Sequence, residues 1–179
     1  MDPRYAAAHF WRGMSRNKLG QDKQAIQDFS EVIRLDPTDA AAYFWRAQSR
    51  DWLDPDEDQY PHAIQDYGEA IRLNPTHAEA YYQRGLEHLN RGYEERAIPD
   101  FDEVIRLDPT HAGAYRGKGL SRYYLNQYEQ AIREFDVALA LEQQDVDSYM
   151  SRSLVHERLG NFEEAERDLQ KARELGSTS

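Results

Sequence analysis

The chain has 179 residues, with 33 acidic against 22 basic side chains, a formal net charge of −11 and no cysteine. The absent thiols exclude disulfides, zinc–thiolate sites and cysteine nucleophiles, and the acidic balance argues against non-specific binding to nucleic acid, which needs a surplus of Lys and Arg on one surface. No apolar run reaches the roughly 20 residues that span a bilayer, and Met-Asp-Pro-Arg-Tyr has none of the regions of a signal peptide, so no membrane insertion and a cytoplasmic location are expected.

In chain order, a first helix is predicted near Ala6 to Leu19, a turn at Gly20, and a second helix that ends at Leu35 before Asp36-Pro37. Proline stops a helix because it lacks the N–H and pushes the preceding residue out of the α region. The pattern then returns. The block Ala-Ile-x-Asp-Phe/Tyr-x-x-x-Ile-Arg-Leu-Asp/Asn-Pro-Thr starts at Ala25, Ala63 and Ala97 and degrades from Ala131 and Ala165, steps of 38, 34, 34 and 34 residues. A period of this size marks a solenoid in which each helical pair buries its apolar face only against its neighbours. The units fall at 6–39, 40–77, 78–111, 112–145 and 146–179, one domain over 1–179. Gly20, Gly92 and Gly160 mark three of the turns inside units, where a left-handed residue ends the first helix.

Small residues recur at Gly13, Ala47, Gly85, Gly119 and Ser153 and again at the block alanines, so paired helices approach closely around the column Phe29, Tyr67, Phe101, Phe135 and Leu169. With these columns and the period, the chain resembles the tetratricopeptide repeat family over essentially everything from Ala6 onward. The resemblance implies an all-α fold, a right-handed superhelical α-solenoid of helix-turn-helix repeats, whose concave groove binds a protein or peptide.

Departures from the repeat carry the remaining information. Second helices place Ile26 and Ile33, Ile64 and Ile71, Ile98 and Ile105, and Ile132 and Leu139 toward the next unit, but unit five has Glu166 and Arg173 there. The last helix therefore reads as a polar cap, stopped by Gly176. Ahead of unit one no such cap is seen, so the chain was cut from a longer protein, or its N-terminal face docks on something, a homodimer included, or this is a native start with a frayed first turn. Unit two carries four extra residues near Asp54 to Pro61; Asp54, Asp56 and Asp58 imitate the start of an EF-hand loop but lack its glycine and closing glutamate, so a solvated acidic loop is expected. Pro99 inside a second helix predicts a local kink.

Cations occupy first-helix places where the family keeps Leu and Tyr: Arg12, Arg46, Arg84, Lys118 and Arg152, with Arg16, Arg50, His88, Arg122 and His156 one turn on. Read as a ladder, they would bind an anion or acidic peptide. The stronger expectation is internal pairing with the second-helix column Asp28, Asp66, Asp100, Glu134 and Asp168. Pairs of this kind fix register and add little net stability.

Mapped from the family, the groove offers Phe10, Trp11 and Met14 in unit one, Phe44, Trp45, Gln48 and Trp52 in unit two, Tyr82 in unit three, and Tyr123 and Tyr124 in unit four. All three tryptophans of the chain are among them, and Trp, Tyr and Met are favoured interface anchors. Leu86, Leu120 and Leu154 are expected to pack between adjacent first helices instead. The Lys and Asn set with which the family's carboxylate clamp grips acidic C-termini is not present, which favours an apolar segment such as an amphipathic helix. His77 and His111 end equivalent turns and read as repeat features. No His-x-x-x-His, phosphate-binding glycine loop or nucleophile elbow occurs, so no catalytic residue, metal or cofactor is expected and the chain reads as a non-catalytic adaptor.

Overall fold

The computed structural model describes residues 3–53 and 60–176. The acidic insertion with Asp54, Asp56 and Asp58 lies outside the described residues. Among the described residues ten α-helices follow one another: α1 (Pro3–Lys18), α2 (Asp22–Leu35), α3 (Ala40–Asp51), α4 (Tyr60–Leu73), α5 (Ala78–Asn90), α6 (Glu94–Leu107), α7 (Ala112–Tyr124), α8 (Tyr128–Leu141), α9 (Val146–Leu159) and α10 (Phe162–Gly176). Among the described residues there is no strand, and no helix is long and apolar enough to cross a membrane. The chain divides into two compact units, Met1–Arg84 and Gly85–Ser179.

Among the described residues, the turns inside the first, third, fourth and fifth hairpins each contain a residue with positive φ. Gly20, Gly92 and Gly160 take φ of 68°, 74° and 78°, and the amide after Gly20, that of Gln21, returns to the carbonyl of Arg16 at 2.9 Å, the bond pattern of a Schellman stop. The fourth turn has no glycine. Asn126 supplies the left-handed residue there, with φ of 59°, because a short polar side chain tolerates that region better than other non-glycine residues.

The turns between hairpins explain the recurring Asp/Asn-Pro-Thr. In 36–38 the Asp36 carboxylate accepts from the Thr38 amide at 2.9 Å and from its hydroxyl at 2.6 Å. Asp108 does the same for Thr110, and Asn74 for Thr76. These are Asx turns, with proline setting the middle φ. The next helix is then capped from one repeated place. Asp39 accepts from Ala42 N, His77 Nδ1 from Ala80 N, His111 Nδ1 from Ala114 N, and Asp145 from Ser148 N. His77 and His111 are thus helix caps.

Within Met1–Arg84, α1 packs on α2, α2 on α3 and α3 on α4. Phe29 fills the first hairpin and Tyr67 the second, both fully buried. Tyr67, Ala47, Ala63 and Ala70 form a core with Phe44 and Ile71, and Tyr43, Trp45 and Tyr81 close it from outside. Gly13 permits the first hairpin's approach: a Cβ there would stand 2.9 Å from the Phe29 ring. Within Gly85–Ser179, α6 packs on α7, α7 on α8, α8 on α9 and α9 on α10. Phe101 and Phe135 are fully buried, and a Cβ on Gly119 would meet the Phe135 ring at 2.9 Å. Burying one such ring stabilises the fold by about 1.5–3 kcal/mol before entropy is counted. Helix α6 runs unbroken through the exposed Pro99. At the end of the chain Glu166 and Arg173 are exposed on α10, while Ala165, Asp168 and Ala172 of the same helix are buried against α9.

Candidate functional site

The first helices carry the cation column, and the structure spends it internally. In hairpin one Asp28, 2% exposed, receives Arg12 at 2.6 Å, Arg16 at 2.7 Å and His9 at 3.3 Å. Burial alone would raise the Asp28 carboxyl, but hydrogen bonds from Arg12 and His9 and the charges of Arg12 and Arg16 hold it below the usual carboxylate range. In hairpin two Asp66 takes Arg46 at 2.7 Å and also Arg50. In hairpin four Glu134 takes Lys118 at 3.0 Å and Arg122 at 3.4 Å. In hairpin five Asp168 takes Arg152 at 2.6 Å, and the hydrogen bond that Arg152 donates to that carboxylate is the largest influence raising its guanidinium. Arg12, Arg16, Arg46, Arg50, Lys118, Arg122 and Arg152, seven of the residues that sequence offered as an anion ladder, are thus held by little-exposed carboxylates of their own hairpins.

Large aromatic side chains stand open on the first helices. Trp52 ends α3 with its indole 72% exposed. It stands over a cleft of about 420 Å³ lined also by Asn17, Lys18, Gly20, Asp22 and Gln48. Asn17 is fixed there by bonds to Asp22 at 3.3 Å and to the buried Ser49 at 3.1 Å. Burial raises the Asp22 carboxyl, with the Asn17 bond opposing. Beyond the indole a second hollow of about 450 Å³ runs over Gln21, Lys23, Gln24 and Leu53. A broad ring face rimmed by amides and a lysine takes an apolar group and orients its polar neighbours.

The other expected groove residues fall into three groups. Trp11 is 68% exposed and meets Phe10 edge-on at 5.7 Å, and Phe10 rests on Phe29 at 5.8 Å. Met14, Trp45, Gln48 and Tyr82 are half-buried, Trp45 leaning edge-on against Phe44 at 5.4 Å. Phe44 is a core side chain, 5% exposed and covered by the His77 ring at 4.8 Å, so it supports the surface from beneath. In the second unit Tyr124 is exposed and Tyr123 half-buried, their rings 5.3 Å apart. Arg158 of α9 reaches back to donate to the Tyr123 hydroxyl at 3.3 Å.

Leu154 departs from expectation: with Met150 it is half exposed on α9 rather than packed between first helices. No feature of residue type announces this. Position does not announce it either: Phe10, Phe44, Tyr82, Arg116 and Met150 share one repeat place, as do Met14, Gln48, Leu86, Leu120 and Leu154, yet their burial differs within each set. Among the described residues no cluster of three His, Asp or Glu side chains could hold a metal ion.

Family models agree with this architecture along nearly the whole chain. A model described as TPR repeat matches residues 13–50 and 56–92, and two described as tetratricopeptide repeat match 78–111 and 116–179. Among solved structures, MamA from its residue 41 to the end, from Desulfovibrio magneticus RS-1, superposes with a TM-score of 0.90 at 19% identity, covering 98% of this chain and 97% of that one. A crystal structure of MamA gives 0.87 at 22% identity, covering 98% and 94%. At such identities the likeness is one of fold. A search of curated proteins finds no match.

Proposed function

The chain belongs to the tetratricopeptide repeat family, and on that premise we propose that it is a non-catalytic adaptor that holds a segment of a partner protein against its first helices. The observation that carries this reading is the Trp52 indole, exposed above a cleft whose rim is polar and positioned. Soluble proteins seldom leave large aromatic faces in a concavity without a use, and rigid rings bind at low entropic cost. Phe10, Trp11, Met14, Trp45, Gln48 and Tyr82 offer further contacts in the first unit, and Tyr123 with Tyr124 forms a separate aromatic pair in the second. An amphipathic helix fits best: its apolar stripe would lie on the rings while its polar flanks meet Lys18, Asn17 and Gln48. The paired cation column supports an apolar ligand over an acidic one, because only ion-pair rupture would free it.

Selection of helical peptides from a display library against the full chain tests this reading. Selected peptides are expected to show i, i+3, i+4 apolar spacing and to lose about tenfold or more in affinity on Trp52→Ala, the size of one good aromatic anchor. Selected peptides that bind the variant unchanged would overturn the assignment of this cleft.

A further inference from the structure

The cleft beneath Trp52 holds a carboxylate that has no counter-ion. Asp28, Asp66, Glu134 and Asp168 on the second helices each take a cation of their own hairpin. Asp22, in the first turn of α2, takes none among the described residues. A hydrogen bond from Asn17 at 3.3 Å and one from its own backbone amide favour its charged form, yet burial outweighs both and the carboxyl is raised. A charge that loses water without gaining an opposite charge is the group in the cleft with most to gain from a cation.

The other groups of the cleft suit the same guest. Asn17 spends its amide nitrogen on Asp22 and on the buried Ser49, so what it has left to offer is its carbonyl oxygen, an acceptor. Trp52 presents an indole that is 72% exposed, and indole is the ring that attracts a cation most strongly. Lys18 alone among the lining residues is cationic. It is exposed in the last turn of α1 and makes no ion pair among the described residues, so its charge stays in water. An anionic guest would find that one flexible cation and be repelled by Asp22. The chain's net charge of −11 also draws basic segments toward it rather than acidic ones.

We propose, building on the adaptor reading, that this cleft takes an arginine side chain of the docked partner helix, its guanidinium stacked on the Trp52 indole and donating to the Asp22 carboxylate and the Asn17 carbonyl oxygen. Arginine is a better guest than lysine because its guanidinium is planar, weakly hydrated and able to donate to two acceptors while it stacks. Its methylene stem continues the apolar stripe of the helix along the ring.

The probe is N-acetyl-arginine amide, with N-acetyl-citrulline amide as its uncharged isostere. Each is titrated into the full chain at constant ionic strength and followed through the indole N–H resonances, that of Trp52 being identified by its loss in Trp52→Phe. The Trp52 resonance is expected to shift saturably with the arginine compound, which should bind about fivefold or more tightly than the citrulline compound, the size of a cation–π contact joined to an exposed ion pair. Asp22→Asn should weaken arginine binding by a similar factor with the circular dichroism unchanged, and Lys18→Gln should not weaken it. Because the arginine and citrulline comparison uses the wild-type chain, it decides the matter even if a variant fails to fold. Absence of a saturable Trp52 shift, equal binding of the two compounds, or indifference to Asp22→Asn in a folded chain overturns the proposal. Tighter binding of N-acetyl-glutamate amide that Lys18→Gln removes would also overturn it, by making the cleft an anion site. The adaptor reading fails separately: it stands if library-selected helical peptides need Trp52 but carry no arginine, an outcome that overturns only the arginine assignment, and it falls if those peptides ignore Trp52→Ala.

Discussion

Asp39 and Asp145 occupy the same repeat place and both cap a first helix, yet removing them should have unequal consequences. Asp39 accepts one backbone bond, from Ala42 N at 3.0 Å, so Asp39→Ala should cost about 1 kcal/mol, an ordinary N-cap. Asp145 is buried and accepts from Asp147 N at 3.1 Å, Ser148 N at 3.3 Å, Ser148 Oγ at 2.5 Å and Arg116 Nη1 at 2.7 and 2.8 Å. Adding one charge-assisted bond of about 1.5–3 kcal/mol to the cap, and discounting because Arg116 is partly open to water, gives about 2–4 kcal/mol for Asp145→Ala. The pH dependence has a definite sign. Burial pushes the Asp145 carboxyl up, but bonds from Ser148 and Arg116 more than reverse this, and its folded pKa lies below the ordinary value. Its contribution is therefore complete above the unfolded value of about 3.9 and fades as pH falls through the folded one. Urea unfolding followed by circular dichroism at pH 7 and pH 3, with amide exchange in α9 and α10 to catch local opening of the last hairpin, measures both effects. Equal losses for the two variants, or a loss from Asp145→Ala that persists undiminished at pH 3, would refute the reasoning.

Three further outcomes follow from the packing. Gly119→Val should destabilise by about 1–3 kcal/mol in the same urea assay, because a Cβ there meets the buried Phe135 ring and overpacking carries that cost. A double-mutant cycle of Arg46→Met and Asp66→Asn should give a coupling energy above about 1 kcal/mol, since the pair is little exposed and bidentate; a value near zero would mean that the column is not held by its ion pairs. Trp52→Ala should leave the unfolding free energy from the urea assay within about 0.5 kcal/mol, as for other exposed positions, so that any loss of partner binding is not a loss of fold.

The regular places of the repeat were legible because each has a local cause. Pro37 and Thr38 fix a turn with Asp36, Ala25 and Gly13 set the helix approach, and Glu166 with Arg173 marks an exposed face of α10. Asn126 was passed over because its role depends on a backbone angle that glycine usually advertises. Burial within a column was not legible at all. Phe10, Phe44 and Met150 share one place, yet Phe44 alone is sealed, because the next helix's cap residue, His77, stacks on its ring. In the fourth hairpin the same place holds Arg116, and the cap facing it is Asp145. What a column residue does is thus set by its partner in the next repeat, which a period read along one chain does not reveal. The same limit applied to Leu154, whose exposure depends on what does not cover it.

The central claim, that the exposed rings of the first helices hold a protein partner, is tested most directly by affinity capture from the native cell with the wild-type chain and the Trp52→Ala variant in parallel, followed by binding of the recovered protein in purified form. The account predicts a partner that binds the wild-type chain directly, whose affinity falls at least tenfold with Trp52→Ala while helicity and urea midpoint are unchanged. A purified partner that binds both chains equally well would contradict it.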